Sequence, residues 1–175
     1  FVLNSIDPLK DVDGFHPFNL GLLMSGSPSF IPCTPLGIIK MLEFYKIRTH
    51  GKNVVIVGRS NIVGKPIAML LAQKFNIGNS TVTICHSATK NLRSFTIQAD
   101  ILIVAIGSPN FINSTMVKNR AVIIDVGINR VDDEASAKGY KIIGDVDFNS
   151  VIEKVDKITP VPGGVGPMTI AMLLK

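Results

Sequence analysis

From residue 53 onward, short β-branched and aliphatic runs alternate with stretches whose apolar positions recur at helical spacing, the pattern of a parallel sheet wrapped by helices. Asn53–Val57 and Thr81–Cys85 read as strands. So do 101–106 and 121–126, whose unbroken apolar character suits strands buried on both faces. Residues 141–143 are expected to add a shorter fifth strand. Between the strands, 65–74 reads as a helix with Ile67, Leu70 and Leu71 on its inner stripe, Pro66 being tolerated in the opening turn. A weaker helix is expected over 90–98 and a short helical turn over 116–118. Ahead of the first strand, 35–45 reads as a helix capped by Thr34, with Pro35 at its first position. The polar stretch 131–139 reads as an exposed loop, Asp145 and Asp147 as caps of a helix over 148–154, and 168–174 as a closing helix. Residues 1–32 hold too little periodicity for a domain of their own and read as the tail of an upstream unit.

Composition narrows the function classes. The longest purely apolar run, 101–106, falls far short of the roughly 20 residues that span a bilayer. The early acids Asp7, Asp11 and Asp13 do not fit a signal peptide. Cys33 and Cys85 stand alone, without the paired spacing of a disulfide framework or a zinc site, which fits a reducing compartment. The net charge of +5 comes from scattered basic residues, without a basic run, a tryptophan or an aromatic–basic interleave. Ligand phosphates and carboxylates therefore explain it better than nucleic acid. His16 and His50 have no partners at metal spacing, and no metal centre is expected.

The first strand ends in Gly58-Arg59-Ser60-Asn61-Ile62-Val63-Gly64, and a helix follows. A strand, a glycine turn and a helix N-terminus in succession aim backbone N–H groups and a positive dipole end at a pyrophosphate. The spacing departs from G-x-G-x-x-G: Ser60 takes the second glycine position and the last glycine falls one residue late. An acidic residue that would hold the ribose 2′-hydroxyl of NAD is absent where the second strand ends, at Cys85-His86-Ser87. Arg59 and Ser87 could together hold a 2′-phosphate, which favours NADP. His86 reads as a hydrogen-bonding or spacing residue rather than a catalytic base.

Three stretches carry a resemblance: 10–17 (KDVDGFHP), 58–66 and 158–169 (ITPVPGGVGPMT). Pro32-Cys33-Thr34-Pro35 and Asp125-Val126-Gly127-Ile128-Asn129 agree with them, and 76–79 is a small local departure in a loop. The chain is similar to the methylenetetrahydrofolate dehydrogenase/cyclohydrolases over essentially its whole length. That resemblance implies a Rossmann-like, doubly wound α/β fold with the remnant of a separate N-terminal catalytic domain. It divides the chain into a remnant (1–34), a dinucleotide-binding domain (35–157), and a folate-site loop with a helix returning to the catalytic domain (158–175). It implies NADP-dependent oxidation of 5,10-methylenetetrahydrofolate, then hydrolysis of the methenyl product to 10-formyltetrahydrofolate, as in one-carbon metabolism and purine biosynthesis. A cytoplasmic homodimer is implied as well.

The resemblance assigns cofactor contacts to Gly58, Arg59, Ser60, Ser87 and Ile128, the last near the nicotinamide half. It assigns folate contacts to Asp13 and to Pro162, Gly163, Gly164, Val165, Gly166, Pro167, Met168, Thr169 and Ile170. The family's proton-handling lysine and tyrosine would lie upstream, so no catalytic residue is expected within this chain. A carboxylate at Asp13 suits a pterin because it can accept paired bonds from an exocyclic amine and the neighbouring ring N–H. Asp11 and Asp13 could instead stabilise a turn at Gly14, and Ile128 could be core. Two other readings stay open: a different two-domain NADP dehydrogenase, and a non-catalytic nucleotide-binding module.

Overall fold

In the computed structural model, which describes residues 3–175, short 3-10 turns at Leu3–Ser5 and Pro8–Lys10 lead into helix α1, Pro17–Ser25. The first two residues of the expected remnant lie outside the described residues. His16 caps α1 by accepting the Phe18 amide on Nδ1, and Gly26, in the left-handed region, closes it. Helix α2, Cys33–Phe44, then delivers the chain to strand β1, Asn53–Val57. There follow α3 (Gly64–Ala72), β2 (Thr81–Cys85), α4 (Leu92–Thr96), β3 (Ile101–Val104) and β4 (Val122–Asp125). The remainder holds β5 (Asn129–Asp132), β6 (Tyr140–Ile143), α5 (Phe148–Val151), β7 (Lys157–Ile158) and α6 (Val165–Leu173).

The main sheet has five strands in the order β2-β1-β3-β4-β7, all parallel. Side chains alternate across it, so it needs cover on both faces. Val54 and Ile56 join Leu23, Ile38, Leu42, Ile67 and Leu71 in one apolar cluster. Val55 and Val57 join Leu102, Val104, Ile112, Ile123 and Val151 in the other. The doubly wound α/β arrangement expected from the sequence is the one found.

Four local expectations need correction. The fifth parallel strand is Lys157–Ile158, whereas Tyr140–Ile143 pairs antiparallel with Asn129–Asp132 in a separate two-stranded ribbon. The expected loop 131–139 therefore begins inside β5, where Arg130 stacks over the Tyr140 ring at 3.9 Å. Thr34 does not cap α2: the helix starts at Cys33, and the Thr34 hydroxyl is bonded to that of Thr169 at 2.9 Å. Asp147 does cap α5, but Asp145 is buried and holds other backbone.

Candidate functional site

The chain runs from β1 through α3 to β2 on one side, then crosses to β3 on the other. Such a reversal opens a crevice at the carboxyl ends of the central strands, the usual ligand site of open α/β sheets. Gly58 begins the turn out of β1 with φ +127°, and a Cβ there would lie 2.2 Å from the Ala105 carbonyl oxygen beyond β3. A Cβ on Gly64 would meet the Gly58 oxygen at 2.3 Å. The backbone closes on itself this tightly only because both residues lack side chains.

Ser60 explains the atypical spacing. Its Oγ accepts the amides of Val63 at 3.1 Å and Gly64 at 3.3 Å, which pins the start of the nine-residue α3 and leaves the hydroxyl proton for another acceptor. Arg59 is exposed, and its guanidinium makes no ion pair among the described residues. On the neighbouring strand, His86 organises a turn by accepting the Ala88 amide on Nδ1 at 3.2 Å, while its own amide donates to Thr89 Oγ1 at 2.8 Å. Ser87 is exposed within this turn. Val57 pairs with Cys85, so Arg59 and Ser87 each stand two residues beyond a matched position on adjacent strands.

At the ends of β3 and β4, two buried carboxylates tie the turns together. Asp125, 3% exposed, accepts the amides of Gly127 (2.9 Å), Asp145 (3.0 Å) and Val146 (2.9 Å). Burial pushes its pKa above the ordinary aspartate value, against the pull of those amides. Asp145, fully buried, accepts the amides of Ile106 (2.7 Å), Gly107 (3.0 Å) and Ser108 (2.8 Å) and Nδ2 of Asn129 (2.8 Å). The sequence reading missed both. The coupling is spatial and leaves no local signal in the sequence: a Cβ at Gly127 would lie 2.4 Å from the Asp145 carboxyl carbon, and one at Gly144 would lie 1.8 Å from an Asp125 oxygen.

Past β7, Thr159 Oγ1 accepts the Asp125 amide at 2.8 Å, and the chain enters a loop with a cis Val161–Pro162 bond and Gly163 at φ +103°. This loop and the start of α6 enclose a largely apolar cavity of about 480 Å³ with Gly127 and Ile128. Ile128 is 66% exposed, so it is not a core residue. Pro162, Gly163, Gly164, Val165, Gly166, Pro167 and Ile170 line the same cavity. Met168 and Thr169 turn toward α2 instead: Thr169 bonds Thr34, and Met168 packs on Gly37.

Asp11 and Asp13 separate cleanly. Asp11 is buried and accepts the amides of Phe15 and His16 and Nδ2 of Asn19. Burial pushes its pKa up, but the bonds from Asn19, His16 and Phe15 outweigh this and hold it below the ordinary value. Asp13 is exposed and receives none of those bonds. Burial raises the pKa of the Cys33 thiol, and the charge on Asp13 adds to this. A Cβ on the neighbouring Gly14 would lie 3.0 Å from the Pro32 nitrogen, so the turn that carries Asp13 sits beside the start of α2. Asp145 and Asp147 gather no metal-ligating cluster among the described residues.

The family model for the tetrahydrofolate dehydrogenase/cyclohydrolase NAD(P)-binding domain matches residues 32–175. The bifunctional protein FolD of Pelodictyon phaeoclathratiforme is 61% identical over 98% of this chain, which spans 59% of that relative's length. The crystal structure of the bifunctional FolD methylenetetrahydrofolate dehydrogenase/cyclohydrolase from Campylobacter jejuni superposes with a TM-score of 0.89 at 55% identity, over 99% of this chain and 58% of that one. The Trypanosoma brucei methylenetetrahydrofolate dehydrogenase-cyclohydrolase, complexed with NADP cofactor and an inhibitor, gives a TM-score of 0.89 at 39% identity, over 98% of this chain and 58% of that one.

Proposed function

This chain belongs to the tetrahydrofolate dehydrogenase/cyclohydrolase family, of which it carries the NAD(P)-binding domain, and we propose that its crevice holds NADP beside part of a site for 5,10-methylenetetrahydrofolate. The observation that carries this reading is the tight Gly58 turn at the strand-order reversal, on the same sheet edge as the cavity shared by Ile128 and the Gly163 loop.

The donor set suits a phosphorylated dinucleotide. The turn from Gly58 to Gly64 offers amides and the N-terminus of α3 to the pyrophosphate, and Ser60 adds its hydroxyl proton. Arg59 and Ser87 take the 2′-phosphate, a role supported by their matched register and by the absence of an acid at the end of β2. The cofactor, when bound, supplies the nicotinamide ring that accepts hydride from the methylene bridge of the folate. Ile128 packs against that half and keeps water from it, while Asp13 accepts paired bonds from the pterin. The apolar loop of Pro162 and Gly163 lets the folate approach close to backbone.

In this reading residues 1–34 belong to a catalytic domain, 35–157 to the cofactor domain, and 158–175 return to the catalytic one. Proton handling and the hydrolysis of the methenyl product to 10-formyltetrahydrofolate fall to an upstream lysine and tyrosine. The family resemblance further supports a cytoplasmic homodimer that supplies one-carbon units, purine synthesis included. Titrating the purified chain with NADPH and NADH by fluorescence tests the cofactor assignment. NADPH is expected to bind at least about tenfold more tightly, the scale of one charge-assisted contact. Equal affinities would remove the 2′-phosphate role, and no binding of either would remove the function.

A further inference from the structure

Resting on the cofactor reading above, we propose that Asp125 and Asp145 are positioning residues that set the floor under the nicotinamide half of the crevice through the backbone turns they hold. The strand order fixes which half is meant. The pyrophosphate turn follows β1 and the 2′-phosphate end lies toward β2, so the rest of the dinucleotide extends over the ends of β3 and β4. Two turns form that floor: 106–108 after β3, and 127–128 after β4.

Both turns are suspended from the same two carboxylates. Asp145 Oδ2 accepts Ile106 and Gly107, and its Oδ1 accepts Ser108 together with the Asn129 side chain. Asp125 Oδ1 accepts Gly127 and the Asp145 amide, so the second acid is held by the first. Ile128 therefore hangs between a residue fixed by Asp125 and one fixed by Asp145. Each carboxylate fits because a glycine packs against it without a Cβ, Gly127 against Asp145 and Gly144 against Asp125. With the donors converging on all four carboxylate oxygens, only a group that accepts at both ends satisfies the site. An asparagine of the same shape would turn an NH₂ group toward N–H donors.

Asp145→Asn is thus the diagnostic change, read by isothermal titration of the chain with NADP and with 2′,5′-ADP, which lacks the nicotinamide half. NADP affinity is expected to fall about tenfold or more while 2′,5′-ADP affinity stays within about twofold. Circular dichroism establishes that the variant is folded. Should it not fold, Asn129→Ala decides by the same split, since it removes one of the four bonds to Asp145, from the side of the Ile128 turn, together with a longer bond to the Ile143 carbonyl. For that variant NADP is expected to weaken about threefold, with 2′,5′-ADP unchanged. Unchanged NADP affinity in a folded variant, or equal losses for both ligands, would overturn the positioning role while leaving the cofactor site standing. A wild-type chain that binds neither ligand would overturn both.

Discussion

In the proposed site, a 2′-phosphate reaching Arg59 would meet a guanidinium with no carboxylate partner among the described residues to give up. Arg59→Ala should therefore cost NADP binding roughly 1 to 3 kcal/mol and NAD much less, by parallel titrations of the two cofactors. Asp11 leads to a prediction about acid stability. Its folded pKa is depressed by Asn19, His16 and Phe15, so its stabilising effect is complete above the unfolded aspartate value of about 4 and is lost as pH falls through the lower folded one. Unfolding followed from pH 6 down to pH 2 should show Asp11→Asn losing less stability than wild type across that window. Spacing alone could not tell Asp11 from Asp13, because both flank the same glycine turn; burial does. That Arg59 and Ser87 stand exposed beyond the ends of adjacent strands was legible, because the strand and turn pattern around each is local. Asp145 was not, since its four partners lie up to 39 positions away in sequence.

At the level of elements, the Gly58 turn leaves no freedom. Gly58→Ala adds a Cβ 2.2 Å from the Ala105 oxygen at a φ that disfavours side chains, and should cost about 2 kcal/mol or more of stability in a urea melt. Cofactor binding should fall with it, because relief of the clash widens the gap between the ends of β1 and β3. β1, β3 and β4 were readable because central parallel strands are apolar on both faces, with Leu102 and Ile103 pointing opposite ways into two cores, while β2, at the sheet edge, was readable from its β-branched composition. β7 was not readable: it has two residues, Lys157 and Ile158, and its place in the sheet comes from pairing with Val122 and Ile123. Tyr140–Ile143 has the better strand composition, yet it pairs with Asn129–Asp132, a choice that long-range packing makes. The start of α2 was misjudged because a threonine before a proline favours a cap locally, whereas here its hydroxyl serves contact with α6.

On the scale of the molecule, this chain spans about 59% of the length of the curated relatives it matches. If the proton chemistry lies in the remaining part of such proteins, residues 1–175 should bind NADP yet give no absorbance change with 5,10-methylenetetrahydrofolate. Steady turnover would place a catalytic group within this chain instead. The family match begins at Pro32, but the packing does not. Leu23, on α1, is 1% exposed in the same cluster as Ile38 and Ile67, and its carbonyl accepts the Gln73 side chain. Leu23→Ala should accordingly lower stability by about 2 to 5 kcal/mol, a core-sized loss measurable by thermal or chemical melts. The homology boundary and the smallest piece able to hold itself together thus differ: a version trimmed at Pro32 would have a leucine-shaped hole in its wall, and anyone expressing the cofactor unit alone should keep α1 attached.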